Sequence, residues 1–581
     1  MLFNCRTTSC AAIVFAVLTS ACSTNDTTGP SAPNPILGAS ATAKSSASVQ
    51  VSFTSVAGDA RYDLERAEGA AGTFTAVTNL PAPAAPGAVT YSDNGLKVNT
   101  LYRYRLFTNR GSQKSVSSGE FTATTLTFGN AAADITTAIT ASRTFYADTV
   151  YTLKGFIHVA NGATLTIEPG TKIQGDFNTI GSSLFVLRGA KIQAIGTAQA
   201  PIVFTSSRAA GQRQPGDWGG LLIVGNAPDS RSGVVNIEGT GTDGATVVGG
   251  KNYFVQYNGG TVATDNSGTL QYVRVEFAGY ATLVDQEFNA FTFAAVGSGT
   301  RVSYTEALAG LDDSYEFFGG GFDIDHIVAF ETADDMFDMS EGWSGRMQYL
   351  IGYNSVQLTP RTGAGFYSVD IEGIENDGCN GTGCDLGFNS TPFTTPLVSN
   401  FTLIGCGNVA CSGTGGGYGM MLRRGTGGYY VNGVISRFPR AGVSLRDAAT
   451  YTRAGSAAVP DPATSDLVVS NVLFSEVPNV FQATSATQFA FDLAGNSLTS
   501  SAATTQSLFT TLPATGAVPT DISSFDFTPV AGSAIATGGL ATFTGRIATK
   551  GGTTVAGTAY LGAVAPGGAK WWQGWTVYTR N

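Results

Sequence analysis

"LDDSYEFFGGGFDIDHIVAFETADDMFDMSEGW", residues 311–343, carries one five-residue pattern twice: "DDSYE" at 312–316 and "DDMFD" at 334–338, each Asp-Asp-x-aromatic-acid. The two copies start 22 residues apart, the length of one solenoid coil. Short apolar strands continue that spacing on both sides. "QYVRVEFAG" (271–279), "RVSYTEALAG" (301–310), "DHIVAFETAD" (325–334), "RMQYLIGYN" (346–354), "SNFTLIGCG" (399–407), "VNGVISRF" (431–438) and "VSNVLFSEV" (469–477) start 30, 24, 21, 53, 32 and 38 residues apart. Coils of about 20 to 25 residues with loop insertions give such a series, whereas propeller blades need a steadier period of about 40 to 50. Residues 130–581 therefore read as one parallel β-helix, in which each coil contacts only its neighbours. Asn400, Asn432 and Asn471 stand just before three of these strands, and an internal asparagine stack bonded from coil to coil is the expected use for them.

Composition points the same way. Gly accounts for 74 of 581 residues and charged residues for only 13%, against a usual quarter, which suits short strands and tight turns. The net charge of −10 argues against nucleic acid, because phosphate binding needs clustered Lys and Arg.

The acids are not spread evenly. From Glu306 to Glu341 there are eleven carboxylates, and no Lys or Arg lies between Arg301 and Arg346. Stacking one coil on the next puts Asp312 over Asp334, Asp313 over Asp335 and Glu316 over Asp338, about 4.8 Å apart. Like charges at that spacing repel by several kcal/mol at an effective dielectric of about 20. The side chains can splay into water, hold protons, or bind a cation. Ca²⁺ takes six to eight oxygens, and two rows of Asp beside the Gly-rich turn "FFGGGFDID" can supply them. Asp312, Asp313, Glu316, Asp334, Asp335 and Asp338 are thus the candidate metal ligands, with solvated loop acids and a catalytic pair as alternatives.

The catalytic alternative rests on glycoside chemistry. Hydrolysis needs two carboxyl groups about 5 to 9.5 Å apart, which neighbouring coils provide. Asp313 and Asp335 are the candidates, with Arg346 or Arg361 as a base if the reaction is a lyase elimination. Only two histidines exist, His158 and His326, and both read as strand residues with packing or hydrogen-bonding roles. There is no G-x-S-x-G elbow, P-loop or histidine-based zinc motif. "GTGGGYGMMLRRGTGG" (413–428) reads as a solenoid corner whose Arg423 and Arg424 could touch an acidic glycan.

The N-terminus has the build of an export signal: Arg6, an apolar run from Ala11 to Leu18, then small residues before Cys22, too short to span a bilayer. "LTSAC" resembles the lipobox of bacterial lipoproteins. That resemblance implies a signal peptide at 1–22, lipidation of Cys22 and, from Ser23 rather than Asp after it, delivery to the outer membrane. Residues 23–35 are a polar tether. From 36 to 126 strands alternate cleanly, as an antiparallel sandwich does, and "LKVNTLYRYRLFTNRG" resembles the fibronectin type III signature. Leu96, Thr100, Tyr102, Tyr104, Leu106 and Asn109 match its pattern. Tyr102, at the corner-tyrosine position, is expected to be structural.

Residues 130–581 also resemble right-handed β-helix surface lipoproteins of bacteria, through "ATLTIEPGTKI", "APIVFTS", "GDWGGLLIVGNAP", the doubled "DD" blocks and "YLGAVAPGGAKWWQGWT". The resemblance implies the fold and a surface location and brings no reaction. Cys379, Cys384, Cys406 and Cys411 form two C-x4-C pairs, which in an exported chain imply two local disulfides. Trp571, Trp572 and Trp575 are expected to close the last coil, with stacking on sugars as the alternative open to them and to Trp343.

The expected protein is an all-β surface lipoprotein of the outer membrane, anchored by lipid, calcium-stabilised, and serving adhesion or binding to a polysaccharide or another surface protein. The competing class is a polysaccharide lyase or hydrolase. An enzyme should line its acids with aromatic platforms and a basic residue; a structural site should be closed by loops.

Overall fold

Each coil is built from short strands with side chains alternating inward and outward. In "YEFF", Tyr315 and Phe317 point into the core while Glu316 stands on the outer face. A computed structural model describes residues 32–129, 131–240, 255–283, 286–364 and 369–579. The signal segment, Cys22 and the tether up to residue 31 lie outside them. The fold class expected from the sequence holds: a fibronectin type III-like antiparallel sandwich followed by a parallel β-helix.

Two compact units form, one of residues to 42, 49–93 and 100–124, the other of 43–48, 94–99 and 125–581. The first contains two sheets, a three-stranded one centred on Ser48–Thr54 and an antiparallel one built on Arg61–Glu68 and Leu101–Arg110. Tyr102 and Tyr104 are buried there, and Tyr104 donates its hydroxyl hydrogen to Asp93, which also receives Arg66.

In the second unit, strands of successive coils pair in parallel to make a 15-stranded and a 10-stranded sheet, the latter ending in one antiparallel pair. Inside, like stacks on like: Phe291, Tyr315 and Phe337 form a column with ring centroids 4.8 and 5.5 Å apart. Among the described residues, no helix is long and apolar enough to cross a membrane.

The coils turn at columns of residues in the left-handed backbone region. One column comprises Tyr272, Tyr304, His326, Tyr349, Asn400, Asn432 and Asn471, all with φ between 50° and 66°. That conformation costs an L-residue about 1 to 2 kcal/mol, less for Asn. The rings recover part of the cost by stacking, with centroids 4.6, 4.5 and 4.8 Å apart from Tyr272 through Tyr349.

The asparagines therefore do share a column, but their main partners correct the expected internal stack. Asn400 bonds Thr558 and Gly562, Asn432 bonds Leu540 and Thr558, and Asn471 bonds Gly538. These partners belong to a C-terminal strap that runs back along the column. Further on, Trp571 meets His326 edge-on at 5.0 Å, and Trp575 meets Tyr272 at 5.7 Å. The C-terminal tryptophans thus cover the flank of earlier coils instead of closing the last one.

Asn432→Ala is expected to lower stability by about 2 to 3 kcal/mol, combining the left-handed cost with lost strap bonds, and Asn432→Gly by only about half as much. Denaturant unfolding of both variants measures this, and equal losses would contradict the backbone contribution.

Candidate metal centre

Four of the eleven acids in the 306–341 stretch find partners from other coils, and a fifth bonds its neighbour in sequence. Arg301 and Arg346 both pair with Asp323, at 3.1 and 2.6 Å. Arg231 pairs with Glu341, and Arg274 approaches Glu306 at 3.8 Å while the Val577 amide donates to that same carboxylate at 3.1 Å. Glu331 accepts from Ser355 and from the Tyr578 hydroxyl. Asp325 bonds its neighbour His326. The missing counter-charge is supplied across coils, so it lies tens of residues away in sequence.

The other six are Asp312, Asp313, Glu316, Asp334, Asp335 and Asp338, and they line one cleft of about 640 Å³. Glu316 pairs in register with Asp338 on neighbouring strands, and Asp338 pairs with Glu375 on the next. At the corner before these strands runs a ladder of side chain to backbone bonds. Asn289 Oδ1 accepts the Asp313 amide at 3.1 Å, Asp313 Oδ1 the Asp335 amide at 2.8 Å, and Asp335 Oδ1 the Glu372 amide at 2.9 Å. Asn289 fills this structural role with one neutral oxygen. The next three coils place a carboxylate there, which adds a charge that the ladder bond does not require.

Glu372 and Glu375 were missed in the sequence because the insertion before them stretches the coil-to-coil offset to 37 residues, from Asp335 to Glu372. A signal was present: acid-x-x-acid recurs at 313/316, 335/338 and 372/375. The carboxylates fall into four triads whose ligand atoms lie within 4.8 Å of one another: Asp312, Asp313 and Asp334; Asp313, Glu316 and Asp338; Asp334, Asp335 and Glu372; Asp335, Asp338 and Glu375. Glu372 is 1% exposed, and its Oε1 has no hydrogen-bond partner among the described residues. The Oδ1 of Asp338 is buried in the same condition.

Burial, reinforced by neighbouring carboxylates, pushes Asp312, Asp313, Glu316, Asp335, Asp338 and Glu372 well above the ordinary carboxylate range. Glu375 rises to about 8 through burial and Asp377, against the opposing pull of Arg423. Clusters of this kind fit a hard cation bound through oxygen.

The other candidates separate. Arg423 and Arg424 do reach the cleft, where both pair with Asp377 and Arg423 also pairs with Glu375. Arg446 is a third guanidinium on the lining. It bonds Ser444 at 2.9 Å and lies 5.4 Å from the Tyr418 ring centroid. Arg346, a base candidate from the sequence, does not line the cleft, because it is spent on Asp323 in the other sheet. Arg361 is held by the carbonyls of Phe177 and Asp217. Trp343, Trp572 and Trp575 are buried and offer no ring face to a sugar, while Trp571 is half-buried against His326. Phe318 is the aromatic side chain on the cleft lining. His158 is half-buried, edge-on to Phe185.

Both disulfides form locally, Cys379 with Cys384 and Cys406 with Cys411. The first closes a loop at the cleft rim, where Arg231 donates to the Thr382 carbonyl at 2.6 Å while holding Glu341.

The profile of the pectate-lyase-like β-helix domain family matches residues 137–516, well over half of the chain. The chain belongs to that family. No curated protein matches it. Among solved structures, it is similar to a pectate lyase from Pectobacterium carotovorum at 8% identity, covering 81% of this chain and 98% of that one, with a TM-score of 0.13. An Fn3-like protein from Clostridium thermocellum is similar at 22% identity, covering 16% of this chain and 92% of that one, with a TM-score of 0.14.

The raised carboxyls set a pH dependence. A group whose folded pKa exceeds its unfolded value, about 4, stabilises the fold fully below that value, and the stabilisation is lost as pH rises through the folded pKa. Metal-free protein should therefore melt at falling temperature as pH rises from about 4 through about 8, where Glu375 titrates. Asp335→Asn should flatten that decline. Calorimetry in chelator across this range checks it, and a melting temperature that rises with pH would contradict it.

Proposed function

We propose that this chain is a bacterial envelope lipoprotein whose acid cleft binds a hard divalent cation, calcium foremost, and through it an acidic polysaccharide or an acidic patch on another surface protein. The observation that carries the reading is the ladder from Asn289 to Glu372, in which three coils replace a sufficient neutral oxygen by a carboxylate and leave Glu372 Oε1 buried without a hydrogen-bond partner among the described residues. A bound cation gives such oxygens a partner and offsets their repulsion. Its remaining coordination positions accept oxygens from an anionic ligand. Arg423, Arg424 and Arg446 at the same cleft favour an anionic ligand over a neutral one.

A second reading, a polysaccharide lyase or hydrolase, is favoured by one feature. Arg446 reaches the cleft bonded to a hydroxyl rather than a carboxylate, so its guanidinium can face a substrate. The family's description, which names pectate lyases, fits a polysaccharide in either reading. The scarcity of aromatic platforms favours binding over cleavage. Assays for unsaturated products and for reducing ends on acidic polysaccharides separate the two, and product release lost in Arg446→Gln would replace the binding reading.

Anchoring follows from the sequence alone. Cys22 should carry a diacylglyceryl group that places the protein in the outer membrane, facing outward. Mass spectrometry of the mature N-terminus should find that group, and Cys22→Ala should release the protein from membranes; an unmodified N-terminus elsewhere contradicts the anchor.

Calcium should raise the melting temperature selectively, since a ligand bound only by the folded state adds about 2.7 kcal/mol at a hundred times its dissociation constant. Replacing Asp312, Asp313, Asp334 and Asp335 by Asn should abolish that response and leave the metal-free fold as stable or more so. An equal response to magnesium or sodium at matched ionic strength would refute the calcium reading.

A further inference from the structure

The four triads lie on two levels. The lower level, between the coil of Asp313 and the coil of Asp335, holds the triads that share Asp313. The upper level, between the coils of Asp335 and Glu372, holds those that share Asp335. Asp334 and Asp338 belong to one triad on each level, so two acids of the middle coil face both. Coil spacing sets the levels about 4.8 Å apart, slightly beyond the 3.5 to 4 Å of two-metal sites bridged by shared ligands.

We propose that the cleft holds two divalent cations, one per level, bridged by the middle-coil carboxylates Asp334 and Asp338, with Asp335, Glu372 and Glu375 completing the upper position. This rests on the cation reading above and extends it to stoichiometry and coupling.

Charge and oxygen count both favour two. The triads comprise eight carboxylates, one of which, Glu375, meets Arg423. A single divalent ion leaves most of that charge unmatched on one level. Four ions would need far more oxygen: eight carboxylates bring sixteen oxygens, several already serving the ladder amides, Asn289 or Arg423. At six to eight oxygens per calcium, that supply suits two ions. The buried Oε1 of Glu372 is the independent sign that the upper level takes a ligand, because the lower level alone gives this oxygen no role. Shared bridging ligands make the positions interdependent, so occupancy of one orders the middle-coil carboxylates for the other.

The test is metal stoichiometry on the full chain after chelation. Calcium titration calorimetry with elemental analysis should give two ions per chain. Mn²⁺, which suits carboxylate and water ligands, reports their distance: the six-line electron paramagnetic resonance signal of the first equivalent should broaden sharply on adding the second. The double variant Glu372→Gln with Glu375→Gln should bind one ion and keep the six-line signal. Asp312→Asn with Glu316→Gln, which alters the lower level only, should also bind one. One ion in the wild type, two in either double variant, or two without broadening would overturn the two-ion proposal while leaving a cation cleft intact. No bound ion in the wild type would overturn the cation reading with it.

Discussion

Coils stacked about 4.8 Å apart set each side chain against its counterpart one coil on, and most of this structure follows from that constraint. Apolar columns profit from it. Phe291, Tyr315 and Phe337 stack inside, and Tyr272, Tyr304, His326 and Tyr349 stack at a bend whose backbone cost their contact helps to offset. Charged columns are penalised by the same geometry, and the chain treats them in two ways. Some acids alternate with arginines of adjacent coils, as Asp323 does between Arg301 and Arg346. The cleft acids stack acid on acid through three coils.

That difference separates structure from function within one sequence stretch. A column whose role is to hold coils together is served by Asn, as at Asn289, or by alternating charges. Repeating the carboxylate at 313, 335 and 372 costs desolvation and repulsion. The cost is intelligible where a ligand removes it. The guanidiniums of Arg423 and Arg424 reach only one end of the array and are tied to Asp377 and Glu375 there.

Coil spacing and strand identity were legible because a parallel β-helix writes its period into the chain, and the 22-residue offset of the two Asp-Asp blocks equals the observed register of Glu316 on Asp338. Both disulfides were legible from local spacing. Partners that arise by stacking across insertions were not. Arg231 on Glu341 and Arg274 near Glu306 join residues far apart in sequence, so the stretch looked wholly unpaired. Glu372 and Glu375 were hidden by the insertion ahead of them, although their acid-x-x-acid spacing repeats that of the two preceding coils. The strap was illegible for another reason: a tryptophan-rich end reads as a cap, and only the bend column with its outward Asn side chains gives the tail a surface to run along.

The central claim is that the stacked carboxylates form a cation site and are not merely solvated. Anomalous diffraction from crystals of the chelated protein soaked in Mn²⁺ or a lanthanide locates such ions without reference to activity. The account predicts strong peaks between the coils, within coordination distance of Asp313, Asp335 and Asp338. Ordered water or carboxyl-carboxyl hydrogen bonds at those positions, with no anomalous peak at saturating metal, would contradict it.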